Sequence, residues 1–537
     1  MLRASRVLTG MLVAWAVVFV GCSTASPQRL YTHNARARVE HRPSAIRRDI
    51  HDIVQTATVF VLNVAELRVD LTMQNDTSLA FTTRAYNGRV PGPTIYAVAG
   101  DTFHIMLHNL LLPGTANETS LHLHGLHVAN DLTPVLPSQA NMLTYHIPLD
   151  HPSGTYWYHP HRHGQLNSQI SGLMAGAFII LDRVTDLPPS LQNCQDHVLL
   201  LQGVCTDGCA SDYNMLERAI HGQSPSHFDP HVVVSGNATT TQGMQLLVNG
   251  ESVPTLMLRP STWTRLRFVN ALANSIVELK LPCTSHLLAR DGVTKDKWRQ
   301  VDLLVIPPGG RADVAMQCPV AGSQFAVVVD RRATRNEWLG TVHHRVPSQL
   351  ALIIQTVLAD SPVGRPRGQA HVHSLEAAPP HVTLPWYMSL PPAMKGVAEE
   401  TPPQCDVLYE FTTDKNPIDG SMAMGVNHVS MDMVPPGNVN VTYLRRNQSI
   451  VWCVGSIAGH SHPFHVHNTH FQVIKSLRWN STQPHLYEHD EWRDTIPLYK
   501  DHVLLQITPA VLGPMLSHCH IAWHADHGMG RMFHVLE

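Results

Sequence analysis

Short segments in which apolar and polar residues alternate recur along most of the chain. They include "TATVFVLNVAELRVDL", "TFHIMLHNLL", "GAFIILD", "MQLLVNG", "TWTRLRFVNAL", "QFAVVVD" and "QLALIIQTV". Alternation with a period of two places apolar side chains on one face of an extended strand and polar ones on the other. Gly, Pro, Asn and Asp bound each segment, and long amphipathic helical patterns are scarce. The pattern predicts an all-β chain of sandwich units. Two stretches break it: the connector from Asp182 to Asn193, and a proline-rich passage over 361–403 containing "SPVGRPRGQ" and "EAAPPHVTLPWYMSLPP". Both read as interdomain linkers. Three blocks remain, 51–185, 194–360 and 404–537, each long enough for one sandwich.

Composition changes this picture in two ways. With 537 residues, 44% of them hydrophobic and 15% charged, the chain has the make-up of an ordered protein with several cores. The 38 basic and 41 acidic side chains leave a formal net charge of −3, which removes the electrostatic footprint of a nucleic-acid binder. The anomaly is 37 histidines, far more than packing asks for, and imidazole suits borderline and soft metals.

Residues 1–26 read as an export signal: Arg3 and Arg6 precede the apolar run "VLTGMLVAWAVVFV" and then small residues. "VFVGC" also has the form of a bacterial lipobox, which would make Cys22 a lipid anchor. Residues 27–50 form a polar N-terminal linker. No later apolar stretch is long enough to span a bilayer. The expectation is an exported protein, secreted, periplasmic or at the cell surface, and monomeric. Six N-x-S/T sequons, at Asn75, Asn117, Asn237, Asn440, Asn447 and Asn480, fit a glycosylated secreted protein equally well. Among nine cysteines, Cys205 with Cys209, Cys283 with Cys318, and Cys405 with Cys453 are candidate disulfides by proximity.

The histidines gather in four clusters: "LHLHG", "YWYHPHRHG", "HSHPFHVHNTH" and "SHCHIAWHADHGM". Each contains His-x-His, and on a strand that spacing points both rings to one face, within reach of one metal group. The pairs are His122 with His124, His159 with His161, His465 with His467, and His518 with His520. Cys519, between the last two, must point to the opposite face, so one tripeptide serves two separate metal sites. On the Cys519 face, a thiolate with two imidazoles and a weak axial thioether is the blue-copper arrangement, with His462, His524 and Met529 as available partners. A structural zinc site would want four strong ligands and no methionine.

These motifs, in this order and spacing, closely resemble the multicopper oxidases, which include laccases, bilirubin oxidases and bacterial copper oxidases. "LVNG", "RLRFVNA" and "PPGGRADV" in the middle block look like the copper-free second domain of three-domain members. The resemblance implies three cupredoxin-like Greek-key sandwiches and four copper ions. It implies a type 1 copper on His462, Cys519 and His524 with Met529 axial, and a type 2 copper on His122 and His465. One type 3 copper falls to His124, His159 and His520, the other to His161, His467 and His518. It further implies that a reducing substrate gives single electrons at an exposed edge of His524, that Cys519 carries them to its flanking histidines, and that four reduce dioxygen to water. Met529 implies a low-to-middling type 1 potential within the family.

The match weakens at the proton-delivering acids. The closing motif has Ala522 and Ala525 where many members carry an acid. Asp526 is one candidate here, weighed against a solvated loop residue, and Asp131, after the first motif, is the other, near the dioxygen channel. His127, His163, His460, His470 and His527 read as neighbours of the ligands, and Gln169 as structural. Met422, Met424, Met431 and Met433 suit either core filling or recruitment of soft copper ions. The leading expectation is a laccase-like oxidase of phenols or aromatic amines. The alternatives are a metallo-oxidase of Cu(I), Fe(II) or Mn(II), favoured by acidic or Met-rich residues beside His524, and a non-catalytic copper-binding protein. A zinc hydrolase fits poorly, for no HExxH motif is present.

Overall fold

The structure, a computed structural model, describes residues 58–73, 77–129, 131–206, 210–221, 243–331, 339, 345–357, 375, 384–388, 405–415, 422–433, 441–456, 461–476 and 486–537. The export signal with Cys22, the 27–50 stretch, Cys209, His460, most of 361–403 and the sequons at Asn75, Asn237, Asn440 and Asn480 lie outside these residues.

The alternating segments form strands, and the strands form three pairs of facing sheets. In the first pair, one sheet runs Ser78–Tyr86, Thr58–Thr72, Thr102–Asn109, Ala140–His146, and the other Ile95–Ala97, Gly176–Ile180, Gly154–His159, His122–His124. The second and third pairs each combine a six-stranded with a five-stranded sheet. One connection repeats in all three. The opening strand lies parallel to a later one, Thr58–Thr72 beside Thr102–Asn109, Gln195–Cys205 beside Thr264–Asn270, and Val407–Lys415 beside Ile450–Ser456. A parallel neighbour cannot be reached by a hairpin, so the chain crosses between sheets, as in a Greek key. The fold is three consecutive cupredoxin-like sandwiches, each with its own apolar core.

Three features depart from the sequence reading. The connector near Asp182–Asn193 is fastened down: Leu187 and Leu191 are buried against Trp263, Leu288 and Ala315, and the Asp182 carboxylate accepts from Arg265 at 2.9 Å and Arg267 at 3.1 Å. A helix, Ala210–Ile220, follows Cys205 and buries Leu216 and Ile220 in the first core, with Tyr213 donating its hydroxyl to Cys205 O at 2.7 Å. The sequon at Asn117 is buried; its side chain accepts from Arg84 at 3.0 Å and donates to Leu112 O and Ile220 O, so a glycan has no place there in the folded protein. Asn447 is exposed.

The disulfides Cys283–Cys318 and Cys405–Cys453 form as expected, and Cys205 is disulfide-bonded. No helix among the described residues is long and apolar enough to cross a membrane.

Candidate metal centre

Strand pairing assembles the histidines. Strand His122–His124 runs antiparallel to Gly154–His159 with His122 opposite His159, while strand His462–Val466 runs antiparallel to Gly513–Cys519 with His465 opposite His518. Alternation along these strands then puts neighbouring residues on opposite faces, while His161, His467 and His520 stand just past the strand ends. Phe464 and Cys519 are paired on one face of the third sandwich, and His465 and His518 on the other, toward the first sandwich.

On that second face eight imidazoles meet, all buried except His161, which is half-buried. The rings of His122 and His467 stack with centroids 3.9 Å apart, and those of His124 and His465 at 3.8 Å. His518 Nε2 lies 3.2 Å from His161 Nε2 and 3.3 Å from His467 Nε2, and His520 Nε2 lies 3.3 Å from His124 Nδ1. Two nitrogens each about 2.0–2.1 Å from one ion and about 105° apart would be separated by about 3.3 Å, so these gaps suit shared ions.

The outward nitrogens are engaged, which decides where the inner ones point. Asp131 Oδ2 accepts from Nδ1 of both His122, at 2.8 Å, and His467, at 2.9 Å. His159 Nδ1 donates to Pro160 O at 2.8 Å, His465 Nδ1 to Asp494 O at 2.9 Å, and His518 Nδ1 to Cys519 O at 2.9 Å. A carbonyl can only accept, so these rings carry their proton on Nδ1 and present a bare Nε2. His124 is held the other way round, with Nε2 beside Asp494 Oδ1 and Thr495 Oγ1, both at 3.2 Å, so its Nδ1 faces inward. The Nε2 atoms of His122, His159 and His465 are buried without a hydrogen-bond partner among the described residues. Bare, converging, desolvated lone pairs are costly unless a cation receives them.

Burial, and then the neighbouring imidazoles, push the His122, His124, His161, His465 and His520 rings well below the usual histidine range, and the His159 and His518 rings down to about 3. They stand neutral near pH 7, the form that binds metal without competition from protons.

The Cys519 face is separate. Its Sγ lies 3.5 Å from Nδ1 of both His462 and His524, the spacing of ligands about 2.0–2.3 Å from one ion at trigonal-to-tetrahedral angles. Cys519, His462, His524 and Met529 are all buried, in the third core with Phe464 and Phe533. His524 is only 1% exposed. The expectation of an exposed imidazole edge is therefore corrected, because the Ala522–Asp526 helix turns that ring inward beside Trp523.

The proton-relay candidates fall in different places. Asp131 joins His122 to His467 at the eight-histidine cluster. Asp526 lies elsewhere, accepting the backbone N–H groups of Gly164 at 2.7 Å and Asn167 at 2.8 Å, and burial pushes its carboxyl up to about 6. Gln169 bridges Thr119 and Glu118 O, a structural tie as expected.

Two residues packed against the cluster escaped the sequence reading. Asp494 touches His124 and is gripped by Arg311 through both carboxylate oxygens, at 2.7 and 2.5 Å. Arg311 belongs to "PPGGRADV", quoted above only as a likeness. The same loop explains a glycine: at Gly309, φ +86°, a Cβ would sit 2.7 Å from the His520 ring. At Gly125, φ +87°, a Cβ would strike Arg311 and Asp494. The second sandwich thus supplies packing that positions cluster histidines.

Replacing Asp131 with alanine frees two rings at once. Loss of such an orienting partner costs about 10–100-fold in metal affinity. Asp131→Ala is expected to lose copper from the eight-histidine cluster on dialysis against a chelator while its Cys519 site stays loaded; atomic absorption together with the visible spectrum checks both.

Known proteins resemble this chain in sequence and fold. Residues 70–185 and 400–537 each match the family described as "Multicopper oxidase". Laccase-3 of Thanatephorus cucumeris is 25% identical, covering 83% of this chain and 86% of its own, and an iron transport multicopper oxidase of Saccharomyces cerevisiae is 22% identical over 83% and 75%. Two solved structures share the fold. The laccase from Pediococcus acidilactici has a TM-score of 0.64, 20% identity and coverage of 90% and 91%; a multicopper oxidase from Campylobacter jejuni, titled a metallo-oxidase, has 0.62, 20%, 89% and 91%. The chain belongs to the multicopper oxidase family, the copper-dependent oxidoreductases that bind four copper ions and use dioxygen as acceptor.

Proposed function

We propose that this oxidase takes its electrons from a small metal-ion donor, Cu(I) or Fe(II), rather than from a bulky phenol. The observation carrying this reading is the cover over the type 1 ligands. His524 is buried, and the segment Ser430–Met433 packs on the loop between His524 and Met529, with Met431 N–H donating to Gly528 O at 3.1 Å. Asp432, next along, is 44% exposed, with one carboxylate oxygen 2.6 Å from His163 Nε2. The Met431 thioether lies against Gly530, next to Met529, and with the Asp432 carboxylate it offers donors that suit a soft or ferrous ion; a phenol would need the imidazole edge itself.

The type 1 ligands we assign are His462, Cys519 and His524 with Met529 axial. To the type 2 position we assign His122 and His465, and to the type 3 pair His124, His159 and His520 with His161, His467 and His518. Bound copper supplies a one-electron acceptor at the first position and four-electron reduction of dioxygen at the other three. The polypeptide provides the wire. Cys519 is covalently continuous with both flanking histidines, and the His518 Nδ1–H bond to Cys519 O at 2.9 Å shortens one branch. Asp131 and Asp494 hold ring orientation, and burial excludes water.

The laccase reading keeps support from the likeness to relatives named as laccases. Oxygen consumption by the copper-loaded enzyme separates the two. The expected result is a kcat/KM for Cu(I) or Fe(II) at least about tenfold above that for 2,6-dimethoxyphenol, falling selectively in Met431→Leu and Asp432→Asn. A preference for the phenol, with both variants unaffected, overturns the metal-ion reading.

A further inference from the structure

Reducing one dioxygen consumes four protons, and the acid positions of the closing motif are Ala522 and Ala525. Outside the ligand set, the structure holds a second run of buried titratable groups that the mechanism above does not use. His470 Nε2 lies 2.8 Å from Asp291 O and 3.5 Å from Asp494 Oδ2. His470 Nδ1 lies 2.6 Å from His127 Nε2, and His127 Nδ1 is hydrogen-bonded to the hydroxyl of Tyr387. Asp494 reaches His124 at the cluster. Tyr387 is 5% exposed, and its outward neighbours include Asp150, whose charge acts on the phenol.

The direction of every bond follows from one carbonyl. Asp291 O can only accept, so His470 carries its proton on Nε2 and leaves Nδ1 bare. The bare Nδ1 must accept, so His127 carries its proton on Nε2 and leaves its own Nδ1 bare, and Tyr387 must be the donor to it. Burial supports this reading, since it holds both rings in the neutral form. His127 is fixed further by its backbone N–H, which donates to His151 Nε2 at 3.2 Å, while His151 Nδ1 donates to Pro152 O.

We propose that Tyr387, His127 and His470 form an inward-directed proton relay that delivers to the Asp494 edge of the dioxygen site. In one passage the phenol proton moves to His127 Nδ1, the His127 Nε2 proton to His470 Nδ1, and the His470 Nε2 proton to Asp494 Oδ2. The phenol regains a proton from the solvent side, so one proton enters and one leaves. Both imidazoles end in the Nδ1–H tautomer, with a His470 lone pair turned on the Asp291 carbonyl; that repulsion favours return to the starting form, in which each ring gives up its Nδ1 proton and takes one at Nε2 by exchange with solvent before the next passage.

The relay rests on reading the eight-histidine cluster as the dioxygen site, and the test separates the two. In the full-length chain labelled with 15N-histidine and free of copper, long-range 1H–15N spectra are expected to give His127 and His470 the Nε2–H tautomer. In copper-loaded protein, Tyr387→Phe and His470→Gln are expected to slow single-turnover reoxidation by dioxygen about tenfold, with an enlarged solvent deuterium isotope effect, at unchanged copper content and visible spectrum. His470→Gln keeps hydrogen bonding but cannot relay; if it loses copper, Tyr387→Phe, which removes one hydroxyl, decides. An Nδ1–H tautomer at His470, or wild-type reoxidation with a wild-type isotope effect in Tyr387→Phe, overturns the relay. A failure of the ligand assignment appears instead in the copper count, which leaves the tautomers standing.

Discussion

Cys519→Ser is expected to lose the intense blue thiolate absorption and all steady-state turnover while retaining copper at the eight-histidine cluster. The reasoning is geometric. Cys519 Sγ faces His462 and His524, whereas His518 and His520 face the first sandwich, so removing the sulfur empties one centre and leaves the other's donor set whole. A serine hydroxyl is a poor copper ligand and cannot give charge to the metal as a thiolate does, which is the origin of the blue absorption. Copper analysis, visible absorption and oxygen consumption check the three parts. Turnover at the wild-type rate would mean that electrons reach dioxygen by another route.

Arg311→Met is expected to have the largest effect on folding. The guanidinium spends all five N–H donors on Thr155 O, Gly309 O, Asp291 O and the two oxygens of Asp494, in a site closed to water. Removing one partner of a buried pair leaves an uncompensated charge and costs about 3–5 kcal/mol. Against a typical margin of about 5–15 kcal/mol, that is a large fraction of the protein's stability. Denaturant titration is expected to register the loss. Arg311→Met with Asp494→Leu should recover part of it, because no orphan charge remains, yet should still fail to load the cluster, since His124 loses its orienting partner. Recovery of full copper in the double variant would show that Asp494 does not position the ring.

These two sites also mark how far the sequence could be read. Cys519 was legible because strand alternation is a local rule, and the same rule located all four His-x-His pairs and most of the strands. Arg311 and Asp494 were not, because their 183-residue separation is closed only by packing of the second sandwich against the third. An aspartate in "WRDTIPL" and an arginine in "PPGGRADV" look like ordinary turn and strand residues until burial is known. His524 fails for a related reason. Its place beside Cys519 follows from the motif, but its burial is set by tertiary packing around the Ala522–Asp526 helix, with Ser430–Met433, about ninety residues away in sequence, settled on the loop that follows. The Ala210–Ile220 helix was readable in principle, since Tyr213, Leu216 and Ile220 recur at helical spacing, but the stretch is short and polar and its packing surface belongs to the preceding sandwich.

Anomalous diffraction at the copper edge from copper-loaded crystals tests the central claim most directly. The expected map has one peak among His462, Cys519 and His524, and three more enclosed by the eight histidines, with none shared between Cys519 and its neighbours. A single peak ligated by Cys519 together with His518 or His520 would contradict it.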